Sequence, residues 1–153
     1  MRLHKANYLH LFLAARSLAQ SDREEMNLIE PGRDPVDVLT ASSGDPTTMA
    51  ISDDLGNVLA VGGHYESFIW FVHTTKAEAL RMADRLRMFG LLVSHLCRIK
   101  REALKDRPMD EFHFTNVVSP GNHKHIKLLK ALGAVFDKRP LVHNGHEFRQ
   151  FYF

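Results

Sequence analysis

The chain has 153 residues, a formal net charge of +2, and 44% apolar against 25% charged side chains. That length buries a core without staples, and the composition is that of a globular protein, so residues 1–153 are expected as one domain. The charge is too small to imply a nucleic-acid partner, no apolar run approaches the roughly 18–20 residues that span a bilayer, and a lone Cys97 excludes an internal disulfide.

Asn7 to Ala19 predicts a first amphipathic helix, with Leu9, Phe12, Leu13, Ala15 and Leu18 near one stripe. His10 and Arg16 interrupt this segment, which therefore reads as a helix and not as a signal peptide. Ser21 or Asp22 followed by glutamates predicts a capped second helix that ends before Pro31 and Gly32. Asp34 as cap with Pro35 at the first helical position starts a third, short helix. Two strands follow, 47–52 and 57–63, joined by a turn at Asp53-Asp54-Leu55-Gly56. The run 66–73 is a third strand, and its continuous apolar stretch from Phe68 to Val72 predicts burial on both faces. From Lys76 to about Lys105 the pattern is one long helix, in which Cys97 is expected as a small buried hydrophobe.

Residues 111–118 alternate as a fourth strand, with Phe112, Phe114, Asn116 and Val118 on one face. Asn122 is suited to cap a helix carrying Ile126, Leu128, Leu129 and Leu132, and Gly133 stands where a left-handed C-cap is wanted. Residues 134–138 and 147–153 are expected as a terminal hairpin around Asn144-Gly145, a type I′ signal. The order is that of a mixed α/β sheet with helices on its faces. No His, Cys or carboxylate set reaches a four-ligand metal pattern. The basic residues Arg81, Arg85, Arg87, Arg98, Lys100 and Arg101 lack interleaved exposed aromatics and read as a solvated helix face, not a nucleic-acid surface.

The segment N-H-K-H-I-K-L-L-K-A-L-G-A, residues 122–134, resembles the last motif of the GCN5-related N-acetyltransferase (GNAT) family, roughly N-x-x-A-I-x-L-Y-x-x-L-G-F. Asn122, Ile126, Leu128, Leu132 and Gly133 fall in register, while Leu129 replaces a frequent tyrosine and Ala134 a phenylalanine. Over about half the chain, Ile69-Trp70-Phe71-Val72 and the run Ile126, Leu129, Lys130, Gly133 to Phe136 are similar to the internal virion protein A family of short-tailed bacteriophages. The resemblance implies a GNAT-like, mostly antiparallel central sheet flanked by helices, with a helical N-terminal segment and a C-terminal hairpin.

The same resemblance implies acetyl-CoA as cofactor and an amine, on a protein or small molecule, as acceptor. It implies that strands 68–73 and 112–118 splay to admit the pantetheine, which puts Phe71, Val72 and Asn116 beside it. It places the pyrophosphate at the turn from His73 to Ala79, where Thr74, Thr75 and Lys76 are the contacts, with Asn122 nearby; the glycine usual in that turn is missing. Glu66, His64 and His73 are the available general bases. The alternative function is a non-catalytic role in virion assembly, with virion proteins as partners. Host cytoplasm, with virion association under the second reading, is the expected location, and no membrane partner is expected.

Overall fold

The computed structural model describes residues 1–105 and 114–153. It opens with a strand absent from the sequence expectation, β1 (Arg2–Lys5), which pairs antiparallel with β2 (Met49–Ser52). Four residues with one aliphatic side chain, Leu3, carry no alternation to read; pairing with β2 makes them a strand. Asn7 then caps α1 (Tyr8–Arg16): its side chain accepts from the His10 amide at 3.0 Å, and the Asn7 amide donates to His10 Nδ1 at 3.2 Å. The face that α1 buries is Leu11, Ala14 and Ala15, whereas Leu9 and Leu13, expected on the core stripe, are exposed. Ala14 and Ala15 let the helix approach the sheet closely around Leu11, and Leu9 and Leu13 lie on the opposite side.

α2 (Gln20–Ile29) starts one residue before the expected cap, and its Asp22 is buried instead of capping. In α3 (Pro35–Thr40) the Asp34 side chain accepts from the Val36 amide at 2.8 Å, as the sequence predicts. β3 (Val58–Tyr65) and β4 (Phe68–His73) form the next antiparallel pair. The long helix expected after β4 is divided into a single turn, α4 (Thr75–Glu78), and α5 (Met82–Ala103). Arg85 holds the break by donating to the main-chain oxygens of Leu80 at 2.9 Å and Glu78 at 2.7 Å. Cys97 is exposed on α5, contrary to expectation, because the buried face is Leu92, His95, Leu96 and Ile99.

β5 (Thr115–Val118) and α6 (His123–Ala131) follow; residues 111–113 of the expected fourth strand lie outside the described residues. Gly133 has a φ of 93°, as a left-handed C-cap requires. The terminal hairpin forms between β7 (Leu141–His143) and β8 (His146–Tyr152), with Asn144 and Gly145 both at positive φ, the type I′ geometry. The expected first arm is the separate short strand β6 (Val135–Phe136), which pairs with the other end of β8.

The sheet runs β1-β2-β3-β4-β5-β8-β6, with β7 added beside β8. Every pairing is antiparallel except β4 with β5. Trp70 and Val72 of β4 pack with α1 and α3 on one face, while Ile69 and Phe71 meet the α4–α6 side on the other. β4 is thus the doubly covered central strand that its apolar run predicts. The fold class is the expected one: a mostly antiparallel mixed sheet flanked by helices. No described helix is long and apolar enough to cross a membrane.

Candidate functional site

The turn after β4 is where a helix N-terminus meets the middle of the sheet, a position that offers main-chain amides to an anion. Here those amides are engaged. The His73 amide donates to Asp22 Oδ2 at 2.9 Å, Thr74 to the Leu59 oxygen at 2.9 Å, and Thr75 to the Ser17 oxygen at 2.8 Å. The Ala19 amide returns a bond to the His73 oxygen at 3.0 Å, so the connection between α1 and α2 lies over the turn as an added bridge, Leu18 opposite Thr74. Thr74 is fully buried, and its hydroxyl donates to the Val58 oxygen at 2.9 Å. α4 has only four residues, too few to build a helix dipole of any size.

Beside this turn sits a buried polar cluster. Asp22 is 3% exposed and also accepts from His73 Nδ1 at 2.9 Å and from Asn122 Nδ2 at 3.2 Å. Burial alone would raise its carboxyl, but the His73 hydrogen bond and charge outweigh that and hold it below the ordinary value. His73 is the mirror case: burial pulls it down, and the bond to Asp22 with the charges of Asp22 and Glu78 lifts it above the ordinary value. Glu25, one turn along α2, accepts from the Ser119 amide at 2.8 Å and from Asn122 Nδ2 at 3.3 Å. Burial pushes its carboxyl up to about 7 in spite of those bonds. His125 reaches toward the cluster with Nδ1 4.0 Å from Asp22 Oδ1, beyond hydrogen-bond range, and burial lowers its basicity.

β4 and β5 register at one pair, Phe68 with Thr115, and form no further ladder. Asn116 bridges the start of the gap by donating from Nδ2 to the Ile69 oxygen at 2.8 Å. Beyond it lies a cavity of about 190 Å³ that passes between the strands, walled by Ile69, Phe71, Leu96, Leu128 and Leu129 and touched by Asp22, Glu25 and His125.

The residues expected to act together are distributed over this geometry. His64 and Glu66 sit at the β3–β4 hairpin, Glu66 exposed in the turn with φ of 51° and its oxygen 3.2 Å from His64 Nδ1. His73 is at the opposite end of β4, four residues from the partner of His64 and hence about 13 Å along the strand. Phe71 lines the cavity and meets the His125 ring edge-on at 5.9 Å, and Val72 faces the other side of the sheet. Thr75 and Lys76 are exposed at the turn. Asn122 is 4% exposed; it caps α6 by accepting from the His125 amide at 3.3 Å and uses its own amide on the two carboxylates of α2. Among the described residues no group of three His, Cys, Asp or Glu is arranged to hold a metal ion.

Asp22 is expected from the sequence only as a helix cap, and Glu25 and His125 are not among the expected site residues. A signal was available: Asp22 and Glu25 are three apart and share one helical stripe with Met26 and Ile29, so the acidic pair lies on the apolar face of α2. His125 carries no comparable mark.

Three solved structures share this architecture over nearly the whole chain. The GNAT domain of PAT from S. lividans aligns with a TM-score of 0.64 at 12% identity, covering 99% of this chain and 90% of that one. An N-acetyltransferase from Staphylococcus aureus Mu50 aligns at 0.59 with 12% identity and full coverage of both chains (100% and 100%). A GNAT superfamily phosphinothricin acetyltransferase from Sinorhizobium meliloti, solved in complex with AcCoA, aligns at 0.55 with 14% identity, covering 99% of this chain and 86% of that one. At such identities the likeness is one of fold, and the fold is GNAT-like. No curated protein matches the sequence. A family model does match, over residues 47–139, from the residues just before β2 to the loop after β6. That stretch is more than half of the chain, and the chain belongs to the family described as "Bacteriophage T7, probable scaffold protein Gp13".

Proposed function

We propose that this phage protein uses its GNAT-like fold in virion assembly, as a scaffold or internal virion component, and does not transfer acetyl groups. The observation that carries the reading is the engagement of the His73, Thr74 and Thr75 amides by Asp22, Leu59 and Ser17. A pyrophosphate needs several converging free amides, and three at this turn are already taken; Lys76 is exposed there and supplies a charge but no cradle. Acetyl-CoA therefore does not fit the turn as it stands. Leu129, which stands where the family motif often has a tyrosine, is 4% exposed among Ile126, Val118 and Phe151 and has no proton to donate to a thiolate. Tyr65 is 68% exposed beside the β3–β4 hairpin turn. Partners under this reading are other virion proteins, met in the host cytoplasm and retained in the particle.

One observation favours the second reading, an acetyltransferase acting on an amine. β4 and β5 part after a single pair and leave strand edges against which an extended chain such as pantetheine can lie. A calorimetric and melting titration with millimolar acetyl-CoA decides between the two. Assembly predicts no heat and no shift. Saturable binding, with roughly 2.7 kcal/mol of added stability at a hundred times the dissociation constant, overturns it.

A further inference from the structure

A second groove runs between α5 and α6 and ends at His73, Ala77 and Glu78 of the turn after β4. Met82, Leu86 and Phe89 recur along α5 at helical spacing, and Met82 and Leu86 are 71% and 64% exposed. They form one wall of a groove of about 660 Å³ whose other wall is α6, with Lys124, Lys127 and Ala131, and whose floor is Phe71, Leu92 and Leu128. Apolar side chains at i, i+4 and i+7, the first two exposed and Phe89 half-buried, beside a second helix are the geometry in which an amphipathic helix docks.

The rim gives the charge of the occupant. Lys124 is paired with Glu78 at 2.7 Å, but among the described residues no carboxylate pairs with Arg85 or Lys127. Arg85 donates to the main-chain oxygens of Leu80 and Glu78, which are neutral, and the Glu78 carboxylate on the same lining is taken by Lys124, so among the described residues Arg85 has no counter-charge. A positive rim over an apolar floor selects an acidic segment by complementarity. The α5 wall carries one ring, Phe89, and no row of exposed aromatics on which bases stack, and the site is a concave slot, not a flat face suited to a bilayer.

We propose that the groove between α5 and α6 receives an acidic amphipathic helix of a partner protein. Its apolar residues lie on Met82, Leu86 and Phe89, and its carboxylates face Arg85 and Lys127. This deepens the assembly reading and rests on it for the identity of the partner as a virion protein.

The test uses the full chain and a labelled peptide of about 15 residues, long enough to form a helix, with leucines at i, i+4, i+7 and i+11 and glutamates elsewhere. A counterpart replaces every glutamate by lysine. Fluorescence anisotropy should show the acidic peptide binding at least about tenfold tighter than the lysine peptide, and Leu86→Asp and Lys127→Glu should each weaken it by about tenfold. Both positions are exposed, so circular dichroism should show the variants folded. Equal binding of the two peptides, or unchanged binding to Leu86→Asp, overturns the proposal. So does a concentration-dependent dimer that Leu86→Asp abolishes, since the occupant would then be a second copy. A phage lacking the protein supplies the independent arm. If its particles are defective but the peptide does not bind, the groove is wrong and the assembly role stands. If its particles are normal, the assembly role falls, and the peptide result is judged alone.

Discussion

Asp22 is the single side chain whose removal should change most. Asp22→Ala deletes the acceptor for the His73 amide, for His73 Nδ1 and for Asn122 Nδ2, at 2.9, 2.9 and 3.2 Å, in a site where the carboxylate is 3% exposed. Three donors are left in a dry environment, and a protonated His73 loses its counter-charge. Breaking a buried charged pair from one side costs about 3–5 kcal/mol. For a chain of this size each kcal/mol lowers the melting temperature by roughly 2–4 °C, so a fall of about 10 °C is expected. The pH profile separates this cause from lost packing. His73 is raised, so its contribution is present below its ordinary value and is lost as pH rises through its folded one. Asp22 is lowered, so its contribution is present above 3.8 and is lost as pH falls through its folded value. The cost of Asp22→Ala, measured by urea unfolding at constant m-value, should therefore peak between the ordinary values of the two groups, 3.8 and 6.5, and shrink on both sides. A cost below about 1 kcal/mol, or one independent of pH, would refute the reasoning.

Glu25 has the opposite sign. Its folded value is raised from 4.5 to about 7, so stability is complete below 4.5 and declines as pH rises toward 7. Glu25→Gln keeps an acceptor for Ser119 and Asn122 and should stabilise the protein by up to about 3 kcal/mol at pH 8, with little effect at pH 4; equal unfolding midpoints at pH 8 would count against it. Leu129→Ala removes a side chain that is 4% exposed between α6 and the sheet, and should cost about 2–5 kcal/mol in urea unfolding. A cost under 1 kcal/mol would show that the helix does not depend on that contact.

The sequence by itself determined what is local. Asp34-Pro35, Asn122, Gly133 and Asn144-Gly145 act on bonds within a few residues, and each forms the cap or turn its chemistry dictates. The unbroken run of β4 likewise announced a strand covered on both faces, because burial on each side needs no partner to be specified. Tertiary structure decided the rest. β1 exists because β2 pairs with it, and α1 turns Leu11 inward instead of Leu9 because Leu11 shares the face of Ala14 and Ala15, which lies on the sheet. The division between α4 and α5 is held by one arginine on two carbonyl oxygens. The candidate site is the sharpest case. Its central bonds join Asp22 to His73 and Asn122, 51 and 100 residues apart, and no local rule connects positions that far along the chain. The glycine-free turn is visible in sequence, but that its amides are already engaged by Asp22 and Ser17 is decided only when the connection between α1 and α2 folds over the end of β4.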